Sequence, residues 1–510
     1  MVRSIYPEHY FRLNHYSTES FLNRLCHKNC VSNHLQSVDY VYNHANAIDL
    51  VLEASKPRRV KMRYAMSDTP KFVEGSLMRH IIVMSSTSAV GLVSIFLVDL
   101  LDMWFISLLG DSRLVAAIGF ASTLTFFATS ISIGTSIAGG ALVSKSLGSK
   151  DRNKAKDFAI NALIIAAIVS VLCVIIMLSS IDMLLAWIGA TGYVAEVARV
   201  YLFIVMPASV LLAVGLGASA VLRATGDAKG SMMSTLSGGV VNAILDPILI
   251  FLLSMGVTGA AVASVFARLA VFTYAVYRVH YKHKLLIRPT RISFRACRRP
   301  ILNIAFPAMI TNSATPFGNA YVTSAIAVYG NSYVAGYAVM GRLIPVCFGF
   351  LFSLSGAIGP ILGQNYGAGL WDRIQRSLKD SLLIIVLFST VMSCILFLSQ
   401  NLIIKSFRLD SQGSDIVVLF CTYIAITFIF NGMLFVSNAA FNNLGSPRLA
   451  SALNVGKATV GTVPFVLIGS IYGQAEGVLI GQAVGSILFG ALAYWVAGIK
   501  VRQLRKRHEL

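Results

Sequence analysis

Two polar side chains four residues apart, Asn242 and Asp246, stand inside the apolar stretch 231–253. Residues at that spacing share one face of a helix, so an amide oxygen and a carboxylate can point at the same small-cation or proton site. A charge at mid-bilayer costs about 3 kcal/mol on insertion scales, and carboxylates kept there usually face a partner, a cavity or a proton path. A second acidic pair, Asp99 and Asp102, lies in LVDLLDMWFISLLG on neighbouring positions of one helix face. Two carboxylates this close rarely both ionise in a low dielectric, so one of them is a candidate proton carrier. The alternative for Asp99 is a hydrated, idle place near a helix end. Ser264 adds a hydroxyl in GVTGAAVASVFARLAV, and Arg268 lies one turn further on the same face. That arginine either neutralises an aspartate permanently or runs its stem to an interface, a structural or tuning part.

The elements that must hold these groups are membrane helices. Of 510 residues 56% are hydrophobic and 13% charged, a balance that fits an all-α integral membrane protein. At about 20 apolar residues per crossing, twelve spans can be drawn: 80–109, 112–146, 156–180, 193–222, 231–253, 256–279, 300–329, 332–365, 376–400, 414–441, 449–471 and 476–499. Pro207, Pro307 and Pro316 fall inside spans and are candidate hinges.

The net charge of +20 does not mark a nucleic-acid binder, because the basic residues sit in alternate loops. Lys145 to Lys156 follow the second span, Lys282 to Arg299 the sixth, and Lys500 to Arg507 end the chain. The positive-inside rule therefore puts both termini and the 281–299 linker in the cytoplasm. Residues 1–74 read as a polar extension, and translation starting at Met62 or Met66 would leave most of it out of the native product. Cys26, His27, Cys30 and His34 match no strong metal spacing, and the cysteines in the spans read as small buried hydrophobes. No HExxH zinc helix and no GxxxxGK[ST] phosphate loop is present, so neither an enzyme nor a cofactor is expected.

A shift of 219 residues aligns Ser136 with Ser355, Gly140 with Gly359, Gly148 with Gly367, Ala220 with Ala439 and Gly226 with Gly445. The chain is thus a duplicated six-span unit, lobes 75–280 and 300–499 joined by the basic linker, with a basic tail at 500–510. The aligned glycines are expected in tight turns needing positive φ. Same-orientation repeats pair as two lobes around a central cleft and rock to give alternating access. The acidic residues do not repeat, since Asn242 and Asp246 align with Gly461 and Phe465.

The duplicated halves, VDLLDMWFISLLG, LRATGD and NAILDPILIF together resemble the multidrug and toxic compound extrusion (MATE) family over about residues 75–499. The resemblance implies a monomeric, multi-pass antiporter of the bacterial inner membrane. It would export small amphipathic, mostly cationic drugs or toxic compounds in exchange for protons or sodium ions. Its position eight residues before Gly110 picks out Asp102 as the family's helix 1 aspartate. Asn242, Asp246 and Ser264 complete the implied proton or sodium site, with Ser264 standing where the family has threonine. Helix 1 has no proline, so a bend there on protonation is not expected. A lipid-linked sugar flippase of the same superfamily is the alternative, kept open by Arg268 and Arg342.

Overall fold

The computed structural model describes residues 70–407 and 409–509. The expectations that fall on residues 1–69, including the Cys26 to His34 cluster and the start at Met62 or Met66, lie outside the described residues. Among the described residues every regular element is helical. In the first half they are α1 (Leu77–Ser107), α2 (Ser112–Gly148), α3 (Arg152–Ser179), α4 (Ile181–Trp187), α5 (Gly192–Val205), α6 (Ser209–Ala224), α7 (Ala228–Pro247) and α8 (Gly256–Tyr277). The second half holds α9 (Arg291–Ala327), α10 (Asn331–Gly367), α11 (Trp371–Phe407), α12 (Ser411–Leu419), α13 (Phe428–Asn443), α14 (Pro447–Ala458) and α15 (Val463–Glu509).

Nine of the described helices are long and apolar enough to cross a membrane, and the bent pair α5–α6 makes a tenth crossing. Two more complete the twelve. α9 falls short in apolarity because Asn303, Asn312, Asn319 and three prolines dilute it. α15 holds two helices merged across a kink at Gly473 and Gln474. The linker is shorter than its charge pattern implied, since α9 is already helical from Arg291, and α15 continues through the basic tail to Glu509.

The repeat is visible in the element bounds. Adding 219 carries α2 onto α10, α6 onto α13 and the start of α7 onto the start of α14. The turn that ends α6 is closed by Asp227 N–H donating to Leu222 O at 2.9 Å, and its counterpart by Ser446 N–H donating to Phe441 O at 2.8 Å. Both contain a left-handed glycine, Gly226 at φ 79° and Gly445 at φ 77°, the usual solution for a helix C-terminus. The other aligned pairs depart from the expectation of turns, because Gly140, Gly359, Gly148 and Gly367 are all helical.

Close approach explains the pair Gly148 and Gly367. α2 packs against α9 and α10, and α1 against α10, so the halves meet along these helices. A Cβ on Gly148 would lie 2.0 Å from Gln364 O, and one on Gly367 would lie 2.0 Å from Lys145 O. No side chain fits between backbones that near, which fixes glycine on both. Gln364 Nε2 donates to Ala224 O at 2.7 Å, and Phe72 N–H donates to Gln364 Oε1 at 2.8 Å. Residues 71–75 run as a strap across this junction, with Lys71 Nζ on Gly226 O and Arg373 on the carbonyls of Phe72, Glu74 and Gly75.

Candidate cation site

Asp246 is fully buried and Asn242 nearly so, on one face of α7 as the four-residue spacing required. Asp102, on α1, is half-buried, and it faces the Asp246 carboxyl together with Asn242. The packing of α1 on α7 creates that meeting. Both carboxyl oxygens of Asp246 and Asn242 Nδ2 are buried, with no polar partner among the described residues but one another and Asp102. A buried acceptor left in that condition is costly and is relieved by a proton or an oxygen-liganded cation. Pro247 follows directly. Lacking an N–H, it cannot bond the carbonyl of Ala243, and α7 then passes into a π turn, Ile248–Leu252.

Ser264 is half-buried on α8, with its hydroxyl 3.5 Å from Tyr201 Oη on α5. Tyr201 is 8% exposed and was not among the expected site residues, since a tyrosine in an apolar span looks like ordinary core. Asp99 belongs to α1, but its side chain lies outside the described set.

Arg268 donates from Nη1 to Val205 O and to Ser209 Oγ, each at 2.7 Å. These groups flank the break between α5 and α6, whose axes differ by 51°. The arginine therefore ties the two half-helices, binding a terminal carbonyl of one and a first-turn hydroxyl of the other. Pro207 lies in this break, whereas α9 runs unbroken through Pro307 and Pro316. The matching level of the second half, Ala425–Thr427, is a 3₁₀ turn with Ile426 where the first half has Pro207.

The loop before α7 carries a different acidic group. Asp227 caps the helix by accepting from Gly230 N–H, and also accepts from Arg278 Nη2 at 3.0 Å and Lys282 Nζ at 3.0 Å. His283 Nε2 is 2.9 Å from the same carboxylate. Burial pushes this carboxyl up, but His283, Lys282 and Arg278 more than offset it and hold Asp227 well below the usual carboxylate range.

In the second half the acidic face is gone and a base replaces it. Phe465 and Gly461 occupy the places of Asp246 and Asn242. Four residues earlier, at the end of α14, Lys457 occupies the place of Gly238, and its ammonium donates to Asn431 Oδ1 on α13 at 2.5 Å. Lys457 was not singled out from sequence, although a lysine inside the apolar stretch 449–471 carries the same cost as Asp246 does.

Twelve crossings in two repeated halves, with buried polar groups on their helices, are the architecture of a multi-pass membrane transporter. The MatE family model matches residues 88–248 and 307–468, and the chain belongs to the MATE family. It is 28% identical over 446 residues to the FAD transporter of Shewanella oneidensis, covering 85% of this chain and 97% of that one. The multidrug export protein MepA of Staphylococcus haemolyticus is 24% identical over 447 residues, covering 86% of this chain and 96% of MepA. A solved MOP-superfamily transporter from Pyrococcus furiosus, described as having a binding pocket of reversed polarity, superposes with a TM-score of 0.80. It is 20% identical, with 86% of this chain and 99% of that chain covered.

Proposed function

We propose that the protein is a secondary antiporter of the bacterial inner membrane, exporting small amphipathic, mostly cationic compounds in exchange for protons or sodium ions by alternating access. The observation that carries this reading is the buried Asp246 carboxyl, facing Asp102 and Asn242 inside an apolar crossing. A proton or sodium ion bound there neutralises the first lobe, changes its packing and weakens its hold on a cation. Coupling then follows from the difference in affinity between two states. Asp102, Asn242, Asp246 and Ser264 are the ion ligands in this scheme, Tyr201 orients Ser264, and no cofactor takes part. Both termini and the basic linker before α9 are cytoplasmic, and the Gly148–Gln364 junction is the cytoplasmic gate, closed in this conformation. The likeness to MepA along nearly its whole length supports drug-like cargo.

The experiment is dye efflux from vesicles holding wild type or Asp102→Asn, with sodium and proton gradients imposed separately. Efflux driven by one gradient and lost in the variant is expected, and names the ion. Full efflux in Asp102→Asn refutes the role of Asp102. If neither gradient moves any cationic dye, a lipid-linked flippase takes precedence. A second reading, export of a flavin dinucleotide, is favoured by the full-length likeness to the Shewanella protein, and the same vesicles loaded with FAD test it.

A further inference from the structure

Lys457 lies on the eleventh residue of α14, about 15 Å along the helix. It is half-buried, at a point where the helix ends in the turn 459–462 before α15 resumes the crossing. An ammonium has three donors. One is used by Asn431 Oδ1, and no carboxylate lies within ion-pair distance among the described residues. The acids of this half are elsewhere. Asp372 pairs with Arg505, Asp380 lies on α11, Asp410 accepts from Ser332 and caps α12, and Asp415 and Glu476 are exposed. The closing turn of α14 offers the lysine only the partial charge of a helix end, already shared with Thr462, whose hydroxyl donates to Lys457 O.

The repeat sharpens the point. Lys457, Gly461 and Phe465 align with Gly238, Asn242 and Asp246 of the first half, although the turn 459–462 interrupts the helix between them. The segment that carries the carboxylate in one lobe therefore carries a fixed cation in the other. Asn431, where the first half has Leu212, is the polar group that accompanies the change. Gly318 of α9 comes within 3.7 Å of Ala458 if given a Cβ, so the lysine's neighbour is packed against the second lobe's first crossing. An embedded cation with unused donors calls for an anion as its partner.

We propose that Lys457, oriented by Asn431, is a docking point for a carboxylate or phosphate group on the exported molecule. The cargo then includes amphipaths that bear an acidic group as well as purely cationic ones. This rests on the exporter reading and adds to it the chemistry that the second lobe recognises. Asn431 is a positioning residue, and Lys457 makes the contact.

The test uses purified full-length protein and two dyes that differ in one group: rhodamine 6G, an ethyl ester, and rhodamine 19, the corresponding free acid. Fluorescence anisotropy gives the affinity for each, and vesicle efflux gives export. Lys457→Gln is expected to weaken the free acid tenfold or more and to leave the ester within twofold, while Lys457→Arg keeps both. Equal loss of both dyes in Lys457→Gln, an unchanged affinity for the free acid, or a wild type that binds no free acid overturns the proposal. With ester export intact, those results leave the exporter reading standing, whereas a wild type that exports neither dye removes both.

Discussion

The side-chain amide of Gln364 donates to the main-chain carbonyl of Ala224 across the boundary between the two halves, and its oxygen accepts from Phe72 N–H. One residue of the second half thereby holds the end of α6 in the first half and the strap that precedes α1. Beside it α2 and α10 touch backbone to backbone, which leaves Gly148 and Gly367 no room for added volume. Gly148→Val drives a Cβ into Gln364 O, at an overpacking cost of about 2 kcal/mol or more. Maleimide labelling of a cysteine placed at Ser144, beside Gly363, is expected to rise tenfold or more in that background. Unchanged labelling would mean that the junction is not the gate.

Arg268 bridges α5 and α6, so removing it leaves the Val205 carbonyl and the Ser209 hydroxyl without their cationic donor. Arg268→Ala should cost about 2 kcal/mol, the usual scale for a hydrogen bond to a charged group. Thermal unfolding in detergent reads this as a lowered Tm, with Arg268→Lys falling between the variant and wild type. A Tm equal to wild type in Arg268→Ala would remove the bridging role.

Tyr201 and Ser264 form one unit. Tyr201→Phe and Ser264→Ala are each expected to raise the ion concentration for half-maximal efflux several-fold, and the double variant no more than either alone. Additive effects in that cycle would separate the two residues.

Asp227 makes the closure of the α6–α7 loop sensitive to acid. Its folded-state carboxyl is depressed, so its contribution is complete above the ordinary carboxylate pKa of about 4 and is lost as pH falls below that toward the folded value. Asp227→Asn keeps a capping oxygen but loses the charge facing Arg278, Lys282 and His283, with an expected cost of about 3 kcal/mol at neutral pH. Unfolding curves at pH 7 and pH 3 should show a smaller gap between variant and wild type at the lower value, and a constant gap would exclude the linkage.

Helical period made the Asn242–Asp246 face and the twelve crossings legible in the sequence, because both are local properties. The meeting of Asp102 with Asp246 depends on how α1 packs on α7, and it entered the reading through the family resemblance. Tyr201 carried no signal of its own, its partner being 63 residues away. Lys457 did carry one, a charge inside an apolar span. Proline pointed to the break at Pro207, yet the corresponding turn at Ile426 forms without one. The interruption of these two spans is thus set by the repeat's packing, and proline accommodates it in the first half.

A closure made where Gly148 meets Gln364 O and Gly367 meets Lys145 O consists of main-chain atoms. Such a contact has no proton to lose and no counter-ion to shed, so its own part of the junction, unlike the Lys71 and Arg373 contacts beside it, carries no charge. In the proposed antiporter, responsiveness to the driving ion lies with the groups around the buried carboxyl on α7, while this close approach of backbones works by shape. A transporter divided in this way can change the chemistry of its cargo by altering side chains deep in either lobe, with the barrier against leakage kept as it is.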